Sequence, residues 1–362
     1  MPQLGKKILA SGNGRCNLLN ERIDETHYNK SARPLVKATF GSFGRESIKS
    51  FFNDLGLELY ADGEGRLFPV TNQSASVLKV LEIELKRLSI PIELNFDAAD
   101  IASSTNGFIV TSKADKKITC RSVILTGGGK TYPALGSDGS TYKLAQRFGH
   151  TLIEPVPAAV PLVVKDPLCH ALQGQKIFAK AKCVIEGKVT SEASGELLFT
   201  RHGLSGTCIL DISEEISVRI NRYRKKDAVV SVDMVPFMRE EALNKELAKR
   251  LKKGLTVHEL LAGILPNKFG IALKDLLQTV AAEKIASGLK DRRFEVAGTR
   301  GWNEADFTAG GIDASQVSET TLKSKLKKGL YFAGEVLDVN GARGGYNLAW
   351  AWASGFVAGL QG

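Results

Sequence analysis

The stretch GLYFAGEVLDVNGARGGYNLAWAWASG, residues 329–355, decides the fold of this 362-residue chain. It begins with a short apolar strand ending at Gly334 and Glu335, passes a glycine-rich turn at residues 341–347, and enters an apolar helix. Glycine permits positive φ and close approach of a ligand to backbone N–H groups, and the start of a helix presents N–H groups without intrahelical partners. The stretch therefore predicts an anion-facing turn within an α/β fold.

Two other glycine-rich segments have the same property. Residues 12–17 read GNGRCN, and residues 127–129 end the buried-type strand of SVILTGGG, residues 122–129. A helix is predicted after the second segment, through DGSTYKLAQRFG. Each segment alone is as consistent with an ordinary turn as with a phosphate-binding loop. The order of strand, glycine turn and helix is the one that a nucleotide-binding fold uses.

Five segments resemble, in the same order, those of the BaiN/YhiN-like NAD(P)/FAD-dependent oxidoreductase family, which includes proteins described as aminoacetone oxidases and bile-acid reductases. They are LGKKILASGNGRCN (4–17), ILTGGGKTYPALGSDGSTYKLA (124–145), LLFTRHGLSGTCIL (197–210), FTAGGI (307–312) and residues 329–355. The resemblance implies an α/β fold, namely an incomplete FAD/NAD(P)-binding Rossmann-like domain with an inserted β-barrel plus helical subdomain.

The composition divides the chain where the resemblance implies an insertion. Prolines punctuate the chain near residue 156, the stretch 156–235 is β-rich, and 236–297 has a helical pattern. We therefore expect the first part of the FAD-binding domain at 1–155, an inserted substrate-side domain at 156–297, and the last part of the FAD-binding domain at 298–362.

The resemblance also implies an FAD site, with NAD(P)H as a possible co-substrate. By this resemblance, the turns at 12–17 and 344–347 lie against the flavin, pyrophosphate or ribityl chain. The helix that follows the second turn points its N-terminus at the flavin. The implied cofactor-binding residues are Gly12, Gly14, Arg15, Cys16, Asn17, Gly127, Gly128, Gly334, Glu335, Gly344, Gly345, Tyr346 and Asn347.

Candidate catalytic residues are less defined. Cys16 is a candidate redox thiol, although a packing role is favoured because no resolving cysteine lies nearby. His202 is the best-placed histidine of the inserted domain for acid–base chemistry or substrate contact, although a structural role is favoured for any single histidine. Tyr346, like Tyr132, is a candidate for lining a substrate pocket. Arg15 suits a pyrophosphate or an anionic substrate, and an ion pair within the protein is an equal alternative.

One feature of the family is missing. Its members begin with a strand, a GxGxxG turn, a helix and a second strand ending in a ribose-binding acid, and the sequence from Met1 onward contains no such unit. We therefore expect Met1 to correspond to an internal methionine of a longer ancestor, through either a misplaced start or a real shortening. A chain without that unit is expected to have unpaired strand edges, an exposed apolar face and weak FAD binding.

Composition and charge indicate which classes of partner the chain is expected to bind. The net charge of +10 and the pI near 9.3 favour anionic partners, but the lysines occur in runs mixed with acids, which favours solvated faces over a nucleic-acid interface. The five scattered cysteines fit neither a disulfide framework nor a metal site. Without an apolar run of membrane-spanning length or a secretory signal, the chain is expected to be cytoplasmic, with no membrane partner. The oligomeric state stays open.

These observations together predict an FAD-dependent oxidoreductase that transfers a hydride between a small organic substrate and a second donor or acceptor. An NAD(P)H-dependent reductase is favoured. The alternatives are an O₂-dependent oxidase of the aminoacetone oxidase type and a non-enzymatic remnant that binds no FAD. A nucleic-acid-binding protein is a further alternative that rests on charge alone.

Overall fold

The computed structural model describes residues 1–279 and 281–361. In chain order, the helices are α1 (Lys6–Ala10), α2 (Arg33–Ser42), α3 (Arg45–Asp54), α4 (Ser74–Arg87), α5 (Ser140–Gln146), α6 (Pro167–Ala171), α7 (Thr207–Ser217), α8 (Glu240–Lys252), α9 (Lys268–Ala272), α10 (Lys274–Leu277), α11 (Ala282–Lys290) and α12 (Tyr346–Gly359). The strands are β1 (Leu19–Asn20), β2 (Leu59–Ala61), β3 (Arg66–Pro69), β4 (Ala98–Ser104), β5 (Gly107–Ser112), β6 (Lys117–Cys120), β7 (Val123–Leu125), β8 (Leu152–Ala158), β9 (Leu162–Val164), β10 (Lys176–Ile185), β11 (Lys188–Thr200), β12 (Gly203–Ser205), β13 (Ala228–Asp233), β14 (Arg292–Thr299), β15 (Phe307–Ile312) and β16 (Leu330–Phe332).

The chain divides into two compact units. Unit 1 comprises Met1–Pro155 and Phe307–Gly362, and unit 2 comprises Val156–Asp306. Residues 298–306, which the sequence analysis assigns to the last segment, belong to unit 2. The reason is local hydrogen bonding, since the Arg300 N–H donates to the Pro161 carbonyl and the Asp306 N–H donates to the Ala159 carbonyl.

A parallel strand pair underlies the glycine-rich loops of unit 1. β7 pairs with β16 in register, Val123 opposite Leu330 and Leu125 opposite Phe332. The other side of β16 also has partners, because the Ser324 N–H donates to the Leu330 carbonyl and the Phe332 N–H donates to the Leu322 carbonyl. β16 is therefore paired on both sides, whereas β7 pairs with β16 alone among the described strands, so the expectation of unpaired strand edges stays open for β7.

Helix α12 is the centre of the unit 1 core. It is apolar on most of its surface because it packs on several sides, against α2, α3, β1 and β16. Phe43 stacks on Phe356 with ring centroids 3.8 Å apart, and Phe52 meets Trp352 edge to face. The antiparallel sheets β1-β3-β2 and β4-β5-β6 complete the unit. Apolar side chains stay exposed on and after α4, at Ile83, Leu88, Ile90, Ile92 and Leu94.

Unit 2 is built around a closed antiparallel barrel, with strand order β10-β11-β12-β9-β14-β13. Alternate residues of β10, such as Ala179, Ala181 and Cys183, point inward and are fully buried. Helices α8 to α11 lie between β13 and β14 in the chain. The prediction of an inserted barrel with a helical part is thus confirmed. The stretch 236–297 is not all helical, however, because β14 returns to close the barrel with the alternating residues Phe294 and Val296 inside.

Three further properties concern the described residues. None of their helices is long and apolar enough to cross a membrane. They contain no group of three or more His, Cys, Asp or Glu side chains arranged to hold a metal ion. All five cysteines are free thiols, and four of them are buried.

Candidate functional site

The GNGRCN segment forms an exposed left-handed turn directly after α1. Gly12, Asn13 and Gly14 all have positive φ, at 56°, 55° and 82°. Cys16 also has a positive φ of 60° and is fully buried below the turn. Non-glycine residues rarely adopt this conformation, and such outliers cluster where a backbone shape serves a function. Residues 12–15 of this turn are all exposed.

The GNGRCN and GGYN segments meet at the N-terminus of α12. With the Asn17 amide oriented to satisfy both of its groups, its oxygen accepts from the Gly345 N–H at 3.1 Å and its nitrogen donates to the Leu19 carbonyl at 3.2 Å. The Asn20 amide donates to the Gly344 carbonyl at 2.9 Å. Gly345 has no room for a side chain, because a Cβ there would lie 2.5 Å from the Leu19 carbonyl oxygen. The two segments therefore share one surface, as the sequence predicts.

Two indole groups tie α12 to the same loops. The Trp350 Nε1–H donates to the Gly334 carbonyl at 3.1 Å, and the Trp352 Nε1–H donates to the Leu18 carbonyl at 3.1 Å. The Ser354 hydroxyl accepts from the Gly334 N–H at 2.9 Å. Trp350 and Ser354, one turn apart on α12, therefore hold Gly334 at the end of β16, and Trp352 holds Leu18 from another side of the helix. The sequence analysis assigned no site residue among these three side chains.

The third glycine turn is held by Glu335. Its carboxylate accepts from the Gly129 N–H at 3.1 Å and from the Thr308 N–H at 2.8 Å. Gly127 has no space for a Cβ because the Thr141 hydroxyl fills it, and Gly129 is similarly blocked by the Thr308 side chain. The Gly129 amide is thus engaged within the protein, and the lack of side chains at this turn serves close packing at the end of β7.

A buried hydroxyl beneath this turn has no partner. Tyr142 of α5 is 3% exposed, and its O–H has no hydrogen-bond partner among the described residues. Burial, with the carboxylates of Glu335 and Asp338 as lesser causes, raises the pKa of Tyr142 above its usual value. The group is therefore a neutral donor. An unsatisfied buried donor costs about 1–3 kcal/mol, which fits a site whose ligand completes the hydrogen bonding.

Two candidate catalytic residues of unit 1 are enclosed by protein. Burial, the larger effect, raises the pKa of the Cys16 thiol to about 11, so that the reactive thiolate is disfavoured near neutral pH. Tyr346 is 6% exposed and stacks on His27 with ring centroids 4.5 Å apart. Its carbonyl accepts from the Tyr28 hydroxyl at 2.7 Å. Both residues shape the site through packing.

The remaining candidates have different surroundings. The Arg15 guanidinium lies over the Phe68 ring, 4.6 Å from its centroid, and the residue is exposed. Tyr132 is 38% exposed and has a φ of 50° in the loop after the glycine turn. In unit 2, His202 Nε2 lies 2.9 Å from Arg201 Nε in the turn between β11 and β12. Asn347 holds the loop before α12, because its amide bonds both main-chain groups of Gly341.

Sequence reasoning missed Lys7, Asn20 and Thr308, which hold the loops together. Lys7 forms an ion pair with Glu335 at 3.3 Å. Asn20 recurs three residues after Asn17, and this repeated amide in CNLLN was the available signal. Thr308 and Lys7 contact residues far away in the chain, so no local pattern marks them.

Fold and site define a class of protein: a Rossmann-like α/β domain that gathers distant glycine loops around one helix N-terminus and carries an inserted β-barrel. The chain matches the family model described as HI0933-like protein Rossmann domain over residues 1–361, and it belongs to this family. The resemblance noted in the sequence is thereby confirmed.

Three relatives align over nearly the whole chain. The chain is 37% identical over 369 residues to a 3-dehydro-bile acid delta(4,6)-reductase of Clostridium scindens, an alignment covering 98% of this chain and 89% of the relative. It is 28% identical over 370 residues to a ribosomal RNA dihydrouridine synthase of Escherichia coli, with 98% and 88% covered. A protein of that description from Haemophilus influenzae is 28% identical over 375 residues, with 99% and 90% covered.

Proposed function

We propose that this chain is an FAD-dependent reductase that saturates a carbon–carbon double bond conjugated to a carbonyl group, with NAD(P)H as the reductant. The observation that carries the proposal is the junction of residues 12–20 with the N-terminus of α12 through Asn17, Asn20 and the backbone of Gly344 and Gly345. This junction joins the segment that carries the exposed left-handed turn to the N-terminus of α12, where the first N–H groups have no intrahelical partner, a combination suited to a cofactor with anionic groups.

The names of two relatives support this substrate class. A delta(4,6)-reductase of a 3-dehydro bile acid and a dihydrouridine synthase both have names that denote saturation of a ring double bond near a carbonyl. The overall reaction consumes NAD(P)H, one proton and the unsaturated substrate. It yields NAD(P)⁺ and a product with two new C–H bonds.

The chain's own residues would act mainly by holding and orienting the cofactor. The main chain at Gly12, Gly14 and Gly345 and the first turn of α12 would face it, and Glu335 would fix the loop at Gly129. Bound FAD would supply hydride transfer, which no side chain provides. The N-terminal end of α12 favours negative charge nearby, through N–H dipoles that need no titrating group. The fit is supported by the buried Tyr142 hydroxyl, which has no hydrogen-bond partner among the described residues.

The first experiment measures flavin binding and reduction. The purified chain is titrated with FAD while flavin fluorescence is followed, and the complex is then reduced anaerobically with NADH or NADPH. Addition of an α,β-unsaturated ketone should reoxidise the flavin. A chain that binds no FAD would refute the proposal and favour the non-enzymatic remnant. Peroxide formed with aminoacetone in air, without NAD(P)H-dependent reduction, would instead favour the oxidase.

A second candidate is reduction of uridine in ribosomal RNA. It is favoured by the net charge of +10 and by the exposed stretch YRKK, residues 223–226 of unit 2, in which Tyr223 is 61% exposed. A basic loop with an open aromatic ring suits phosphate contact and base stacking. RNA binding whose affinity falls steeply with salt, together with flavin reoxidation by a uridine-containing RNA, would support this candidate over a small substrate.

A further inference from the structure

Glu335 is the point at which three distant segments of unit 1 meet. Its carboxylate accepts the N–H groups of Gly129 at 3.1 Å and Thr308 at 2.8 Å. The third partner is Lys7, whose Nζ lies 3.3 Å from Oε2. The Glu335 side chain is 20% exposed, so this negative charge is half-enclosed by the glycine-rich loops that we assign to the cofactor.

Lys7 is held in place from a second side. Its Nζ also donates to the Thr131 hydroxyl at 3.0 Å, and Thr131 itself is fully buried. The lysine belongs to α1, which runs directly into the left-handed turn at residues 12–14. The ammonium group therefore links that turn to the loop after β7, and it brings one positive charge to the carboxylate.

A dinucleotide carries an anionic diphosphate, and a nearby carboxylate repels it. Two backbone N–H donors stabilise the Glu335 charge without cancelling it, whereas a lysine cancels it. We propose that Lys7 is a positioning residue that neutralises Glu335, so that the glycine-rich edge of unit 1 accepts an anionic diphosphate. The inference rests on the proposed function. In it, Lys7 acts by neutralising Glu335 and does not itself contact the phosphates.

The test is a charge-rescue series of the whole chain, with FAD affinity measured by fluorescence titration. Lys7→Met should weaken FAD binding by roughly tenfold or more, since like charges brought together are strongly unfavourable. The double variant Lys7→Met with Glu335→Gln should recover most of that affinity. Lys6→Met makes the same change of charge on the same helix and should have little effect.

Thermal unfolding without FAD checks the fold, since a half-exposed ion pair contributes only about 0–1 kcal/mol. A double variant that binds FAD no better than Lys7→Met would overturn the inference and indicate direct phosphate contact. Equal weakening by Lys6→Met and Lys7→Met would also overturn it. A wild-type chain that binds no FAD would overturn the proposed function, and this inference with it.

Discussion

Replacement of Gly345 by alanine tests the junction on which the site depends. Gly345 has a φ of 100°, and an alanine Cβ would lie 2.5 Å from the Leu19 carbonyl oxygen and 2.8 Å from the side-chain amide of Asn17. The left-handed backbone costs about 1–2 kcal/mol for a non-glycine residue, and relief of the overlap costs about the same again. Gly345→Ala should therefore destabilise unit 1 by about 2–4 kcal/mol.

For a unit of about 210 residues, this loss should lower the unfolding temperature by roughly 4–16 °C. FAD affinity should fall as well, since the Asn17 contact to the Gly345 N–H must open. The matched control is Gly355→Ala on α12, where a Cβ would meet no atom within 4 Å. That change should stabilise the helix by about 0.5–1 kcal/mol. Equal unfolding temperatures and equal FAD affinities for Gly345→Ala and wild type would refute the junction.

Three further outcomes are expected. Cys16 should resist alkylation in the native protein at neutral pH, and Cys16→Ser should keep flavin reduction by NAD(P)H, because burial raises the thiol pKa to about 11; rapid labelling would contradict this. Without FAD, Tyr142→Phe should leave the free energy of unfolding unchanged or raise it by up to about 1 kcal/mol. The same change should weaken FAD binding, and an unchanged affinity would place the hydroxyl outside the site. Burial lowers the pKa of His150 below its usual 6.5, so its contribution to stability is complete above that pH and is lost as the pH falls toward the folded-state pKa. Chemical denaturation across this pH range should show that the free energy of unfolding falls more steeply with decreasing pH for wild type than for His150→Gln. Parallel curves of this free energy against pH would contradict the assignment.

The local parts of the fold were predictable from the sequence because their signals are local. The apolar residues at helical spacing in RESIKSFFNDLG (45–56) and SASVLKVLEIELKRL (74–88) predict two helices, which are α3 and α4, and the apolar run before Gly127 predicts β7. The junction between the first and last glycine segments was predicted through family resemblance and the conformational freedom of glycine. The position of Ser74 before the apolar pattern of α4 predicts an N-cap, but its hydroxyl donates to the Leu9 carbonyl at 2.9 Å. A tertiary partner thus replaced the local one.

The parts that escaped prediction depend on contacts between distant residues. Lys7 and Glu335 are 328 positions apart, and nothing in either local sequence identifies the other. Tyr346 was expected to line a pocket, but the ring of His27 covers it, and that histidine lies in an unremarkable polar stretch. β14 had a readable alternation in RFEV but was hidden by the helical segments before it. Pairings of this kind become visible only when the chain is folded.

The split of unit 1 around unit 2 has a consequence for synthesis. A ribosome releases residues 1–155 well before α12, whose tryptophans anchor to Leu18 and Gly334. The barrel of unit 2 comes from one uninterrupted segment, so it is complete while the first half of unit 1 still lacks its central helix. During that interval the apolar side chains of Leu18 and Leu19 lack their native contacts. The nascent chain is therefore most in need of chaperone protection just before its last fifty or so residues emerge.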